Sequence, residues 1–331
     1  MKFSEFFTRW AHENYYAKGV EIGKNGDFYT SVSAGFLFGA AWANYFLKQL
    51  DAGVFSPGAT IVEIGANDGS MTADFIQAIF TLRPEILCKL KFAVIEPHEN
   101  LRRIQQETFT TRLGGTTEIL ELFSLDELAM LNPREIFVMS NELLDSFACE
   151  VLNERNMLFI GENFKPFWGA ADDEILAEAG EAGLQRGELA IGVRKFAKDL
   201  AAVCDRVKFC SFDYGEWERR QNFSLRIYKN HRVFDFFGVE NLGEFFGASD
   251  LTYDVYFKDL ARNFEAEGFK TNVFRKQNSA LIEIFGAQEI VEIVADKGGE
   301  AAKKDAIKQL NFLINPHFLG ERFKFIEFSN F

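Results

Sequence analysis

Phe3, Phe6, Phe7 and Trp10 recur at i, i+3, i+4 and i+7, so the chain opens on an amphipathic helix. A loop bearing Gly-Lys-Asn-Gly-Asp-Phe-Tyr-Thr-Ser follows over 19–33, and a second helix is expected over 35–50. Ser56-Pro57-Gly58 forms a turn. Residues 60–64 then read Thr-Ile-Val-Glu-Ile and stop at Gly65, the pattern of a short strand buried on both faces. Helices are expected over 70–82 and 99–109, and strands over 91–96 and 135–140. Strands that alternate with helical stretches of this kind build βαβ units and a parallel sheet.

The alternation breaks between 143 and 207. A hairpin over 150–167, an Ala/Glu/Gly-rich stretch over 170–187 and a helix over 193–203 fill that interval. The sheet resumes at 208–212, and strand–helix segments continue to a last strand over 322–328. The expected fold class is α/β: a parallel sheet with helices on both faces plus an inserted α+β subdomain. The corresponding domains are an N-terminal helical segment with its loop (1–50), a core (51–145 and 206–331) and the insertion (146–205). No internal repeat is visible.

A length of 331 residues suits about two domains or one elaborated one. Hydrophobic residues make up 47%, with 38 Phe, which excludes wholesale disorder and supplies ample core. The net charge of −13, with no long run of Lys or Arg, argues against nucleic acid as a partner and favours cationic ones. Cys88, Cys149, Cys204 and Cys210 form no CxxC pair and have no neighbouring His, so neither a metal site nor a redox pair is expected. The first twenty residues interleave charges with aromatics and lack the apolar core of a signal peptide. The longest apolar stretch, 34–46, is interrupted by Gly35, Gly39 and Asn44 and is shorter than the ~20 residues that span a bilayer. The expectation is a soluble, cytoplasmic protein without membrane insertion.

Candidate chemistry begins where the first strand ends. Glu63-Ile64-Gly65-Ala66-Asn67-Asp68-Gly69-Ser70 joins a strand to a helix, and its small residues let the backbone approach a ligand. A dinucleotide site wants G-x-G-x-x-G with a pyrophosphate on the helix N-terminus; here the third Gly is missing and Glu63 would repel the phosphates. An acid at that tip suits a cofactor with a positively charged amino group, such as S-adenosylmethionine. Ile95-Glu96-Pro97 ends the second strand about 30 residues on, where Glu96 can accept both ribose hydroxyls in either cofactor class.

Ser140-Asn141-Glu142-Leu143-Leu144-Asp145 leaves the fourth strand at the carboxyl edge of the sheet, where ligands of open α/β sheets bind. Asn141 equally serves as a helix cap. As a functional cluster, these groups orient an electron-rich nitrogen, and the carboxylates hold a guanidinium or ammonium. Asp213-Tyr214-Gly215 ends a later strand at the same edge, either as a substrate contact or as a plain turn. His231 is a candidate on the substrate wall that takes a proton or holds a carboxylate. Phe234, Phe236, Phe237, Phe245 and Phe246 read as core or subunit interface, which leaves a homodimer open.

Together these motifs resemble the MidA-type S-adenosylmethionine-dependent methyltransferases, a group that includes the mitochondrial arginine methyltransferase of respiratory complex I assembly. The resemblance runs through Gly26-Asp27-Phe28-Tyr29-Thr30-Ser31, Val62-Glu63-Ile64-Gly65, Ile95-Glu96-Pro97 and Asn141-Glu142-Leu143-Leu144-Asp145. It continues through Phe212-Asp213-Tyr214-Gly215, His231, Asp250-Leu251-Thr252, Gln277, Asn315-Pro316 and Gly320-Glu321-Arg322-Phe323-Lys324, about 90% of the chain in all. Two stretches depart from the family pattern: Val32-Ser33 stands where Pro-Glu is usual, and Ala66-Asn67-Asp68-Gly69 where Pro-Gly-Arg-Gly is usual.

The resemblance implies a Rossmann-like class I methyltransferase sheet. Glu63, Gly65, Asn67, Gly69, Glu96, Thr30 and Asn141 would line S-adenosylmethionine, with residues 27–31 folding over it as a lid. Glu142, Asn141 and Asp213 would be catalytic, and Asp145, Tyr214 and His231 would meet the substrate, with Glu150 a further candidate acid. The implied reaction is N-methylation of an arginine in a protein with a basic segment, by resemblance a respiratory complex I subunit. A non-catalytic assembly factor that keeps the cofactor fold, a small-molecule methyltransferase and a dinucleotide-dependent oxidoreductase are the alternatives.

Overall fold

The computed structural model describes residues 1–18, 30–218 and 220–331. In chain order the strands are β1 (Thr60–Ile64), β2 (Lys91–Ile95), β3 (Ile119–Leu122), β4 (Ile136–Asn141), β5 (Cys149–Asn153), β6 (Asn156–Ile160), β7 (Pro166–Ala170) and β8 (Arg186–Ala190). They continue with β9 (Val207–Glu216), β10 (Arg226–Lys229), β11 (Arg232–Asp235), β12 (Asp250–Thr252), β13 (Val255–Tyr256), β14 (Lys270–Lys276) and β15 (Phe323–Ser329). The chain divides into two compact units.

The larger unit comprises Thr30–Leu143, Lys198–Asp213 and Gly268–Phe331. Its sheet runs β14-β15-β9-β4-β1-β2-β3. β1 lies parallel to both β2 and β4, β2 to β3, and β4 to β9. Burial on both faces explains why β1, β2 and β4 are nearly unbroken apolar runs. From β1 the chain builds outward to β2 and β3 on one side and to β4 and β9 on the other. The carboxyl ends of β1 and β4 therefore flank the switch point, the position at which open α/β sheets bind their ligands.

Helix Phe36–Asp51 packs on this sheet through aromatic rings: Trp42 meets Phe212 and Phe285 edge-on, and Phe38 meets Phe212. Much of the high Phe content is spent here. On the same strand as Phe212, the Lys208 ammonium is buried against Glu327 at 2.8 Å and donates to Gln49 of that helix at 2.8 Å.

The smaller unit joins the N-terminal helix Phe3–Trp10 to Leu144–Ala197 and Tyr214–Glu267. It carries two antiparallel sheets, ordered β7-β6-β5-β8 and β11-β10-β12. Phe3, Phe6, Phe7 and Trp10 form one core with Val151, Leu158, Leu225, Ile227 and Tyr253. The segment 214–267, which the strand–helix pattern groups with the core, thus shares a hydrophobic centre with the insertion and the opening helix. The Ala/Glu/Gly-rich stretch resolves into helix Asp173–Glu181 and strand β8. Among the described residues no helix is long and apolar enough to cross a membrane.

Candidate active site

At the end of β1 the backbone turns through residues with positive φ: Gly65 (72°), Asn67 (47°) and Gly69 (80°). The Gly65 N–H donates to the Ile95 carbonyl at 3.1 Å and the Gly69 N–H to that of Ala66 at 2.7 Å, which closes the turn. A Cβ on Gly69 would come within 2.7 Å of the Phe109 ring, so glycine is required there by both conformation and space. Asn tolerates this region better than most residues, so the departure at Asn67 keeps the turn intact. Its carbonyl accepts from Gln105 Nε2 at 2.9 Å.

The turn is loaded with acids. Glu63 is buried and accepts from the Thr72 hydroxyl. Burial pushes its carboxyl up to about 8, and nearby Asp68 adds to the shift against the hydrogen bond from Thr72. Asp68 accepts from the Ser70 N–H at 2.9 Å and from its hydroxyl at 2.8 Å. The start of helix Ser70–Leu82 is thereby already neutralised, and a pyrophosphate would find carboxylates rather than free N–H groups.

Glu96, just past β2, is also buried and pushed up to about 7 by that burial, against hydrogen bonds from the His98 N–H and Gln105. Arg102 grips the Glu96 carbonyl at 2.6 Å.

At the tip of β4, the Asn141 Nδ2 donates to Glu142 Oε1 at 2.9 Å. Glu142 itself has φ 53°, a conformation that costs a non-glycine residue about 1 kcal/mol and is retained chiefly where function or packing demands it. Its N–H donates to the Phe212 carbonyl at 2.9 Å, and Asp213, fully buried, follows on β9. The Asn141 Oδ1 and Gln105 Oε1 atoms are buried without a hydrogen-bond partner. Carboxylates and orphaned acceptors call for a ligand rich in donors and positive charge, which is the profile of S-adenosylmethionine with its sulfonium, ammonium and ribose hydroxyls.

Comparison with known proteins agrees with this geometry. The model of the S-adenosyl-L-methionine-dependent methyltransferase family matches residues 40–275. The chain belongs to that family. The enzyme is an S-adenosylmethionine-dependent methyltransferase.

Among its relatives, the mitochondrial protein arginine methyltransferase NDUFAF7 of mouse is 22% identical and that of human 21% identical. Both alignments cover 95% of this chain and 76% of the relative. A crystal structure of a protein from Burkholderia thailandensis, bound to S-adenosyl-homocysteine, shares the fold. Its TM-score is 0.78 at 20% identity, over 99% of this chain and 87% of that one.

The acceptors set out above fit the methyltransferase cofactor: Glu96 would take the ribose hydroxyls, and Glu63 and Asn141 would face its charged end. Thr30 is committed locally, since its N–H donates to the Ser33 hydroxyl at 2.7 Å and its Oγ1 accepts from the Ser33 N–H at 3.2 Å. The departure at Ser33 thus caps the turn that holds Thr30. The rest of the expected lid, residues 27–29, lies outside the described residues.

In the smaller unit, Asp145 and Tyr214 come together. The Tyr214 and Thr252 hydroxyls both donate to the buried Asp145 carboxylate, the latter at 2.7 Å, while burial pushes that carboxyl up. The Arg226 guanidinium lies 5.2 Å from the Tyr214 ring centroid and pairs with Asp254 at 2.6 Å. His231 is at an exposed hairpin tip, where Asn230 (φ 51°) and His231 (φ 59°) make a type I′ turn between β10 and β11. It is five residues along from Arg226, which faces Thr252 across the sheet. Glu150 on β5 is buried and bonded to the Ser4 hydroxyl of the opening helix.

Sequence reasoning overlooked Gln105, Thr72 and Asp68. Gln105 had a readable signal: a polar residue four positions after Leu101 on the buried face of its helix. Thr72 had none, because a threonine in a helix's first turn is commonplace.

Proposed function

We propose that this methyltransferase acts in the cytoplasm and transfers a methyl group to an arginine nitrogen of a protein that presents a basic segment. The observation that carries the reading is the Asn141–Glu142 pair, a carboxylate held just past a core strand at the ligand edge by its own strained backbone. A planar guanidinium offers paired N–H donors that match such a carboxylate. The relatives bearing the name protein arginine methyltransferase support the same acceptor. A respiratory complex subunit is the substrate class that the resemblance implies.

When bound, the cofactor supplies the methyl group on a sulfonium. Glu142 orients the guanidinium and takes the proton that the reacting nitrogen loses, and Asn141 fixes the Glu142 rotamer. Positioning of this kind accounts for most of the catalysis expected of a displacement reaction.

The test is incubation with S-adenosylmethionine and arginine-bearing basic proteins, with methylated residues located by tandem mass spectrometry. Methylarginine is expected, with Glu142→Gln lowering kcat by about a hundredfold or more while cofactor affinity is kept. Methylation of lysine or of small molecules alone, or an undiminished Glu142→Gln enzyme, would overturn the reading.

A further inference from the structure

Strand β7 is the outer strand of its sheet, paired on one side with β6 alone. The Gly161 N–H donates to the Lys165 carbonyl and the Ala171 N–H to that of Arg155. Bonded and non-bonded pairs alternate in an antiparallel ladder, so Lys165, Phe167, Gly169 and Ala171 turn their main-chain groups toward β6. Pro166, Trp168 and Ala170 therefore turn theirs outward.

Natural edge strands are usually blunted by charge, by a bulge or by brevity. Pro166 guards only the start of this one, and Phe167-Trp168-Gly169-Ala170 is uncharged. Its side chains are also open: Phe167 is 51% exposed and Trp168 39%. Trp168 stacks on Phe223 and Phe237, with ring centroids 5.6 and 6.3 Å away, and Phe237 is itself 37% exposed. Two-sided aromatic exposure along a strand with one open edge marks an interface.

We propose that this edge pairs with β7 of a second copy of the chain, antiparallel about a two-fold axis through Trp168, to join two four-stranded sheets into one. The segment is self-complementary in that register. Each Trp168 exchanges N–H and C=O with Trp168 of the partner subunit, and each Ala170 N–H donates to the carbonyl of Pro166 of the partner subunit. The N–H that proline lacks falls at the rim of the ladder. Phe167 lies across from Gly169 of the partner subunit, and its ring meets the Phe159 ring that covers Gly169 in each copy. Lys165 stands opposite Ala171 of the partner subunit, near Asp173 of the partner subunit, while Asp172 in each copy is paired with Lys2. The match is isologous, as a two-fold interface requires.

The test is mass measurement by light scattering over roughly two decades of protein concentration. A dimer is expected for the parent. Ala170→Pro removes only a donor that faces away from β6, a change edge strands tolerate, so its circular dichroism and melting should match the parent while the dimer dissociation constant rises about tenfold or more. Lys165→Cys with Ala171→Cys, in a Cys88→Ser background, should give a covalent dimer on oxidation, and neither single cysteine should. A monomer at every concentration would overturn the proposal. So would a dimer indifferent to Ala170→Pro that fails to cross-link through the cysteine pair.

Discussion

At Glu63, burial and the neighbouring Asp68 hold the carboxyl at about 8 against the hydrogen bond from Thr72. The folded chain therefore keeps a proton that the unfolded chain has released, and the group's contribution to stability falls as pH rises from about 4.5 to 8. Glu63→Gln should melt at a temperature that rises relative to the parent over that window. A cofactor ammonium favours the ionised carboxylate, so binding near pH 7 should expel the proton. Calorimetry in buffers of different ionisation enthalpy should show proton release by the parent and less by Glu63→Gln; equal release by both would contradict this role. At Gly69, a Cβ would strike Phe109 and the backbone would be strained at φ 80°. Gly69→Ala should cost about 1–3 kcal/mol of stability and about tenfold or more in S-adenosylmethionine affinity, read by thermal melting and calorimetry.

Between elements, the buried contact of Asp145 with Tyr214 and Thr252 ties β9 and β12 to the segment after Leu144. Tyr214→Phe withdraws one of the donors to a buried carboxylate and should destabilise the protein by about 1–3 kcal/mol. A fall in melting temperature with an unchanged substrate KM would make Tyr214 structural; a raised KM at unchanged melting would make it a substrate contact. The elements differ in how legible they were. β1 and β4 could be read directly, because burial on both faces leaves an apolar run between turns. β10, β11 and β12 are three or four residues long and have no period to detect. Helix Asp173–Glu181 was hidden by its short span of 9 residues and by Gly180, although its Ala and Glu favour a helix.

Across the whole molecule, the cofactor turn and the strand-four tip were readable because a local motif sets each. The division into two units was not, since it rests on contacts remote in sequence such as Phe3 against Phe236 at 5.4 Å. Gln105 escaped for the same reason: its role appears only when helix Glu99–Leu113 folds against the Asn67 turn. Cofactor binding rests on the buried acids and orphaned acceptors at the ends of β1 and β2. Calorimetric titration with S-adenosylmethionine, with NADH as control, addresses those groups directly. The expected result is micromolar binding that Glu96→Ala weakens at least tenfold, a loss of about 1.4 kcal/mol, with no binding of NADH. Absence of S-adenosylmethionine binding by the folded protein, or binding that Glu96→Ala leaves untouched, would contradict the account.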